Sequence, residues 1–122
     1  MDIREVCESL LAEEVGLDLN AEAETTLFTC PAGKSCIITK VILKNADGAV
    51  TQASISFGWN TANADDVIAN GVRSLSGTTN YEIIPAASDA VRGAAGGTFK
   101  VEVQTAEGGA QTADILVFGI LY

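Results

Sequence analysis

Histidine is missing from this sequence, and basic residues are scarce. Among 122 residues there is no His, and seven Lys or Arg stand against sixteen Asp or Glu, for a formal net charge of −9. Without His, neither a Ser-His-Asp nor a Cys-His nucleophile system can be assembled, and the commonest transition-metal ligand is lost. Nucleic-acid binding needs a basic stripe. We therefore expect no enzyme, no cofactor, no metal centre and no nucleic-acid partner.

Long apolar runs are also missing. No stretch approaches the roughly 20 apolar residues of a membrane helix. Residues 1–16 have neither the basic start nor the unbroken apolar run of an export signal. We therefore expect no membrane partner and no cleaved leader, and we expect synthesis in a cytoplasm.

The acidic charge is concentrated in the first 24 residues, which hold eight acidic residues against Arg4 alone. Apolar residues in the first 16 positions recur at steps of three and four, which predicts a short amphipathic helix followed by an extended connector. The predicted division is therefore residues 1–24, an acidic helix and connector, and residues 25–122, a β domain. The helix could pack on its own domain or dock on a neighbouring subunit. Its apolar stripe consists of Ile3, Val6, Cys7, Leu10, Leu11 and Val15.

From Thr25 onward the pattern changes to strands separated by turns. Alternating or apolar segments cover 25–30, 36–45, 53–60, 98–105 and 112–122, with shorter candidates at 72–77 and 80–85. Residues 61–70 and 85–97 resemble loops. This pattern predicts an all-β protein, an antiparallel β-sandwich or jelly roll of about 7–8 strands, with the short helix at its N-terminus.

The final segment is apolar on both faces. Ile115, Val117 and Leu121 alternate with a second apolar set, so both sides of this strand need a cover. The strand could lie in mid-sheet beneath a loop or the N-terminal helix, or it could form an oligomer contact. The candidate interface residues from the helix stripe and the outer side of this strand are Ile3, Val6, Leu10, Leu11, Leu116, Phe118, Ile120 and Tyr122.

Two further sets of side chains, two cysteines and two aspartates, are candidates for a disulfide and for cation binding. Cys30 and Cys36 flank the turn PAGKS, so a hairpin could bring them within disulfide range, although a reducing cytosol favours free thiols. Asp65 and Asp66 lie near two Asn residues, but their spacing does not match a calcium-binding loop. We interpret these two carboxylates as solvated loop residues.

Residues 25–122 resemble small structural proteins of tailed-bacteriophage virions, of β-sandwich or jelly-roll type. The residues that carry the resemblance are LFTCPAGKSCIITKVILKN, SISFGWNTANADDVIAN and the closing DILVFGILY. The resemblance implies a capsid decoration (cement) protein or a related head or tail component, located on the capsid surface and made in the host cytoplasm. The implied partners are further copies of the chain, expected as a homotrimer, and the major capsid protein.

An alternative function is a carbohydrate- or receptor-binding β-sandwich module of a fibre or a secreted protein. Such a module needs an exposed aromatic platform, for which Trp59, Tyr81 and Tyr122 are candidates. However, Trp59 shares a strand face with Ile55 and Phe57, so we interpret it as a core residue.

Overall fold

The computed structural model describes residues 7–122, which form eight β-strands and contain no helix. Every strand pair is antiparallel, in agreement with the predicted all-β class. The predicted interface residues Ile3 and Val6 lie outside the described residues. The strands are β1 (Ser9–Asp18), β2 (Glu24–Thr29), β3 (Cys36–Lys44), β4 (Ser54–Gly58), β5 (Ile68–Val72), β6 (Glu82–Pro85), β7 (Thr98–Thr105) and β8 (Thr112–Leu121).

The strands form two four-stranded sheets. One has the order β1-β8-β3-β6 and is called the β8 sheet below; the other has the order β2-β7-β4-β5 and is called the β7 sheet. Of the seven connections between consecutive strands, only β4 to β5 joins neighbours in the same sheet. The other six cross from one sheet to the other, so each sheet is built from strands that are distant in sequence.

The core fills the space between the sheets. Alternate residues of β8 and β7 are buried, among them Ile115, Val117 and Val101, whose side chains are not exposed to solvent at all. Phe57 of β4 stacks on Phe99 of β7, with ring centroids 6.2 Å apart. The alternation is strict along β8, as the period of two in a pleated strand requires.

The predicted N-terminal helix is wrong, because its second half is strand β1. This strand pairs with β8 from Ser9 opposite Gly119 to Asp18 opposite Thr112, so it is an edge strand of the β8 sheet. Its register shifts twice, and at such a bulge an extra residue changes which side chains face inward. Leu11 consequently packs against the core while Leu10 is half exposed. Cys7, placed on the buried stripe by the helical pattern, is exposed.

Two carboxylates, those of Glu107 and Asp114, hold nearby chain segments in place through hydrogen bonds. The Glu107 carboxylate accepts hydrogen bonds from the backbone N–H groups of Thr51 (2.7 Å), Gln52 (2.8 Å) and Ala53 (3.1 Å). Burial of Glu107 disfavours its charged form, but the N–H donors of Gln52, Thr51 and Ala53 outweigh burial, and the pKa of Glu107 is lowered. Asp114 accepts from the side chain of Asn45 and from the N–H of Gly16, which also lower its pKa.

Candidate functional site

The outward side of the β8 sheet carries a row of apolar side chains. Cross-strand pairing places Leu10 opposite Phe118, Leu116 opposite Ile42, and Ile42 opposite Ile83. Ile37 lies opposite Ile120 on the same side. Leu10, Ile37 and Ile83 are 50%, 42% and 52% exposed, respectively. We call this the outer apolar face; its members are Leu10, Ile37, Ile42, Ile83, Leu116, Phe118 and Ile120.

The final strand, β8, lies in the middle of its sheet between β1 and β3. This is the position given by one of the two predicted alternatives. Its outward residues are partly covered by lysine side chains that extend from β3 across β8. Lys40 Nζ lies 5.0 Å from the centroid of the Phe118 ring and 3.0 Å from Glu8 Oε1. Lys44 Nζ lies 4.0 Å from Glu13 Oε2 on β1. Lysine stems can cover apolar surface while the ammonium groups remain in water. This cover consists of flexible side chains rather than a loop or a helix.

The structure brings part of the predicted interface set together. Leu116, Phe118 and Ile120 share the outer apolar face with Leu10, and Tyr122 follows Ile120 by two residues at the end of the same strand. Tyr122 is 49% exposed, and its hydroxyl accepts a hydrogen bond from Arg92 Nη1 at 3.0 Å. Leu11 does not belong to this set, because its side chain lies against Gly119 on the inner side.

Three residues of the outer apolar face, Ile37, Ile42 and Ile83, are absent from the predicted interface set. Simple alternation would place Ile37 on the same side of β3 as Val41 and Leu43, but the register shift between Ile38 and Lys40 turns it outward. Ile83 lies on the short strand β6, where four residues give too little pattern to assign a face. The signal that could have found Ile83 is the pair of consecutive isoleucines at positions 83 and 84, since one of two neighbours in a strand must face outward.

Trp59 lies at one end of the core. Its ring is half-buried and contacts Phe99 with centroids 5.2 Å apart and planes tilted by 55°. Gly93 lies so close to this ring that a Cβ at position 93 would overlap the indole. These contacts agree with the interpretation of Trp59 as a core residue, and they leave its ring unsuited as a flat platform for a sugar.

Cys30 and Cys36 are adjacent and buried, with Cα atoms 6.2 Å apart and sulfur atoms paired. This Cα separation lies within the range of disulfides. Cys30 follows the end of β2 and Cys36 begins β3, so a bond between them would join the two sheets across the PAGKS turn. Their oxidation in the working protein stays a prediction.

On the outward side of the β7 sheet, the loop of residues 60–66 packs on polar residues of β4 and β7. Ser56 Oγ donates to the Asn63 carbonyl at 2.7 Å, and Gln104 Nε2 donates to Ser56 Oγ at 2.9 Å. Asp66 Oδ1 accepts from the Trp59 N–H at 2.7 Å. Ser56 is fully buried as a result. Asp66 therefore has a structural role, in contrast to the solvated state expected for it.

Asp65, the second carboxylate of this loop, is exposed and hydrogen-bonded to the side chain of Asn60. Across residues 7–122, no three His, Cys, Asp or Glu side chains come together in a way that could hold a metal ion. The same part of the chain has no helix with the length and apolar character needed to span a membrane.

Comparison with known proteins gives a likeness to solved structures but none at the level of sequence families. No family model and no curated protein matches the sequence. Among solved structures, the chain is similar to a chain in the acidic stable capsid structure of Helicobacter pylori bacteriophage KHP30, over 95% of this chain and 97% of that one. The two chains are 14% identical and superpose with a TM-score of 0.49. A likeness of this degree assigns no function and no residue role.

Proposed function

We propose that the chain is a non-enzymatic structural protein of a tailed-phage virion. Specifically, we propose a decoration (cement) protein that is made in the host cytoplasm and binds the capsid surface. Support comes from the sequence resemblance of residues 25–122 and from two four-stranded sheets with six crossing connections, the arrangement of a jelly roll. The observation that carries the proposal is the outer apolar face, whose end near Ile37 stays exposed in the part of the chain that the structure describes.

The docking surface that we propose is the end of the outer apolar face near Ile37. Leu10, Ile37 and Tyr122 are each 42–50% exposed there, beside the half-buried Phe118 and Ile120. Scattered exposed apolar residues are normal, whereas contiguous ones mark interaction sites. A specific interface buries roughly 800 Å² on each partner. We propose that further copies of the chain, arranged as a trimer, and the major capsid protein supply the surface that covers this patch.

The charge of the chain favours this mode of binding. A net charge of −9 makes copies repel one another in solution, so contacts among them have to be short-range and apolar, or be screened by a less acidic partner. A partner could displace the lysine side chains at small cost, since exposed ion pairs such as Lys40 with Glu8 contribute only about 0–1 kcal/mol to stability.

The test is co-sedimentation with undecorated shells assembled from the major capsid protein of the phage that encodes the chain. We expect saturable binding with a fixed number of copies per capsid subunit. The double variant Ile37→Asp, Ile120→Asp should bind at least about a hundredfold more weakly, because two unpaired charges would be buried. Val72→Asp is the matched control, because Val72 is 63% exposed on β5 of the other sheet.

Two results would contradict this proposal. One is absence of binding by the wild-type chain; the other is equal loss of binding in the control and in the double variant, with both folded by circular dichroism. The proposed contact of Ile3 and Val6 is examined in the same assay with a chain that lacks residues 1–6, which retains all of β1. Unchanged shell binding by this truncated chain would remove Ile3 and Val6 from the proposed interface.

A further inference from the structure

A second surface feature lies at the other end of the β8 sheet. It is a groove of about 550 Å³ between the outward side of β3 and β8 and the segment that precedes β6. Its volume lies within the roughly 300–1,000 Å³ typical of ligand clefts. On β3 the groove begins at Ile42, five residues and therefore about 17 Å from Ile37. The lining residues are Ile42, Lys44, Asn45, Thr78, Thr79, Asn80, Tyr81 and Leu116.

An exposed aromatic ring borders the groove. Tyr81 is 66% exposed, immediately before β6 begins at Glu82. The segment that carries it is held by hydrogen bonds from Ser76 Oγ to Asn80 Oδ1 (2.9 Å) and from the Asn80 N–H to the Gly77 carbonyl (3.4 Å). The face of an aromatic ring is electron-rich, so it attracts the weakly positive C–H groups of a sugar ring. Together with the apolar floor of Ile42 and Leu116, this ring gives the groove one stacking surface.

Hydrogen-bonding groups surround this stacking surface. Asn45 uses its Nδ2 to donate to Asp114 at 2.9 Å, which leaves its Oδ1 as an acceptor. Asn80 uses its Oδ1 to accept from Ser76, which leaves its Nδ2 as a donor. The exposed hydroxyls of Thr78 and Thr79 can donate and accept. Neutral donors and acceptors next to an aromatic face match the hydroxyl groups and the C–H face of a saccharide.

The charges at the groove favour a neutral ligand over an ionic one. Lys44 is the single cationic side chain in its lining, and its ammonium is 4.0 Å from Glu13 and also attracts the Asp114 carboxylate. Two carboxylates near one ammonium leave no positive charge to recognise a phosphate or an acidic sugar. We propose that this groove binds a neutral saccharide, with a sugar ring stacked on Tyr81 and its hydroxyls bonded to Asn45, Asn80 and the two threonines.

This saccharide site is independent of the proposed docking to a shell. It uses Tyr81 instead of Trp59, and it lies at the opposite end of the outward face from Ile37. A chain docked through the Ile37 end would still leave Tyr81 and the segment 78–81 open to solvent. The groove would therefore add a recognition function to a structural protein, and each of the two functions can be lost without the other.

The experiment screens the full chain on an array of neutral oligosaccharides and titrates the strongest ligand by two-dimensional NMR of the backbone amides. We expect saturable shifts at residues 78–81 and at Asn45. Tyr81→Ala should weaken binding by about tenfold or more, whereas Tyr81→Phe, which keeps the ring face, should bind like the wild type. Tyr122→Ala is the matched control, an exposed tyrosine at the other end of the sheet.

The site would be overturned if no neutral oligosaccharide on the array binds, or if Tyr81→Ala binds as tightly as the wild type. Failure of the shell-docking proposal is a separate result. Tyr81→Ala should still co-sediment with shells, and the double variant Ile37→Asp, Ile120→Asp should still bind the saccharide. Loss of both activities in both variants, with both folded by circular dichroism, would show a single shared site and would overturn the proposal of two independent sites.

Discussion

The two sheets share one core but differ on the sides that face away from it. On the β7 sheet, the outward side chains of β4 and β7 are polar, and the loop of residues 60–66 packs on them so that Ser56 has no exposed surface. The β8 sheet presents apolar side chains outward, and its cover consists of two lysine side chains. Polar groups can be satisfied by a nearby loop of the same chain. On the outer apolar face, Leu10 and Ile37 stay 50% and 42% exposed in the described part of the chain.

The first prediction concerns the packing of the loop of residues 60–66 against the β7 sheet, and it has the largest expected effect on stability. A Cβ at Gly58 would approach the backbone atoms Ala64 C and Asp65 N to 2.8 Å. The backbone of this packed loop can move aside only at a large cost in energy. Gly58→Ala should therefore lower the free energy of unfolding by about 3 kcal/mol, as measured by chemical denaturation. Gly109→Ala is the control, because no atom lies within 4 Å of a Cβ there. Equal stability of the two variants would show that the loop does not cover this sheet closely.

The second prediction concerns the segment that leads into β4 of the covered sheet. Glu107→Gln removes the charge that holds three backbone N–H groups, and at pH 7 it should lower the free energy of unfolding by about 2 kcal/mol. Because the folded-state pKa of Glu107 is lowered, its contribution is complete above the unfolded pKa of about 4.3 and is lost as pH falls through the folded value. The stability difference between wild type and variant should therefore shrink in acid.

The measurement for Glu107 is urea denaturation of both proteins across acidic to neutral pH. Asp89→Asn, a change at an exposed turn, serves as the control and should follow the wild type. A stability difference that stays constant from neutral to strongly acidic pH would contradict the assigned role of the Glu107 charge.

The third prediction applies to the β8 sheet and has the smallest expected effect. Lys40→Gln removes the ion pair with Glu8 and the contact over Phe118, so it should cost only about 0.5 kcal/mol and less at high salt. The same variant should be retained longer on a hydrophobic-interaction column because Phe118 becomes more exposed. Lys44→Gln, with a longer ion pair, is the comparison and should change stability less. A cost of several kcal/mol for Lys40→Gln would mean that the lysine cover is structural.

The strands that alternate cleanly in sequence could be predicted, since burial on one side leaves a period of two. β4 and β7 occupy the segments expected for them, and the final strand has the central position that its two apolar faces suggested. β5 was missed, because Ile68–Val72 contains Ala, Asn and Gly and shows little alternation. The covering loop of residues 60–66 could not be predicted either, because its contacts with Ser56 and Gln104 depend on distant residues.

The error at β1 has a specific cause. Its two register shifts, between Leu10 and Ala12 and between Glu14 and Leu17, insert extra residues between inward positions. Inward residues then recur at irregular steps that include three, and such steps imitate a helical period. The same effect within β3 hid the outward position of Ile37. Four of the seven members of the outer apolar face were therefore predicted from sequence, whereas Ile37 was hidden by a bulge and Ile83 by the shortness of β6.

The pairing of β1 with β8 also has a consequence for how the chain folds as it is made. β2, β4, β5 and β7 can assemble while β8 is still unsynthesised, but β1 and β3 both need β8 as their neighbour. Because Ser9 pairs with Gly119, β1 cannot join its sheet until Gly119 has been synthesised, which is on the order of ten seconds later at typical rates of translation. The β8 sheet is thus the last part to close. A chain stalled before β8 would lack Leu116, Phe118 and Ile120, so the outer apolar face is completed only when β8 has been made.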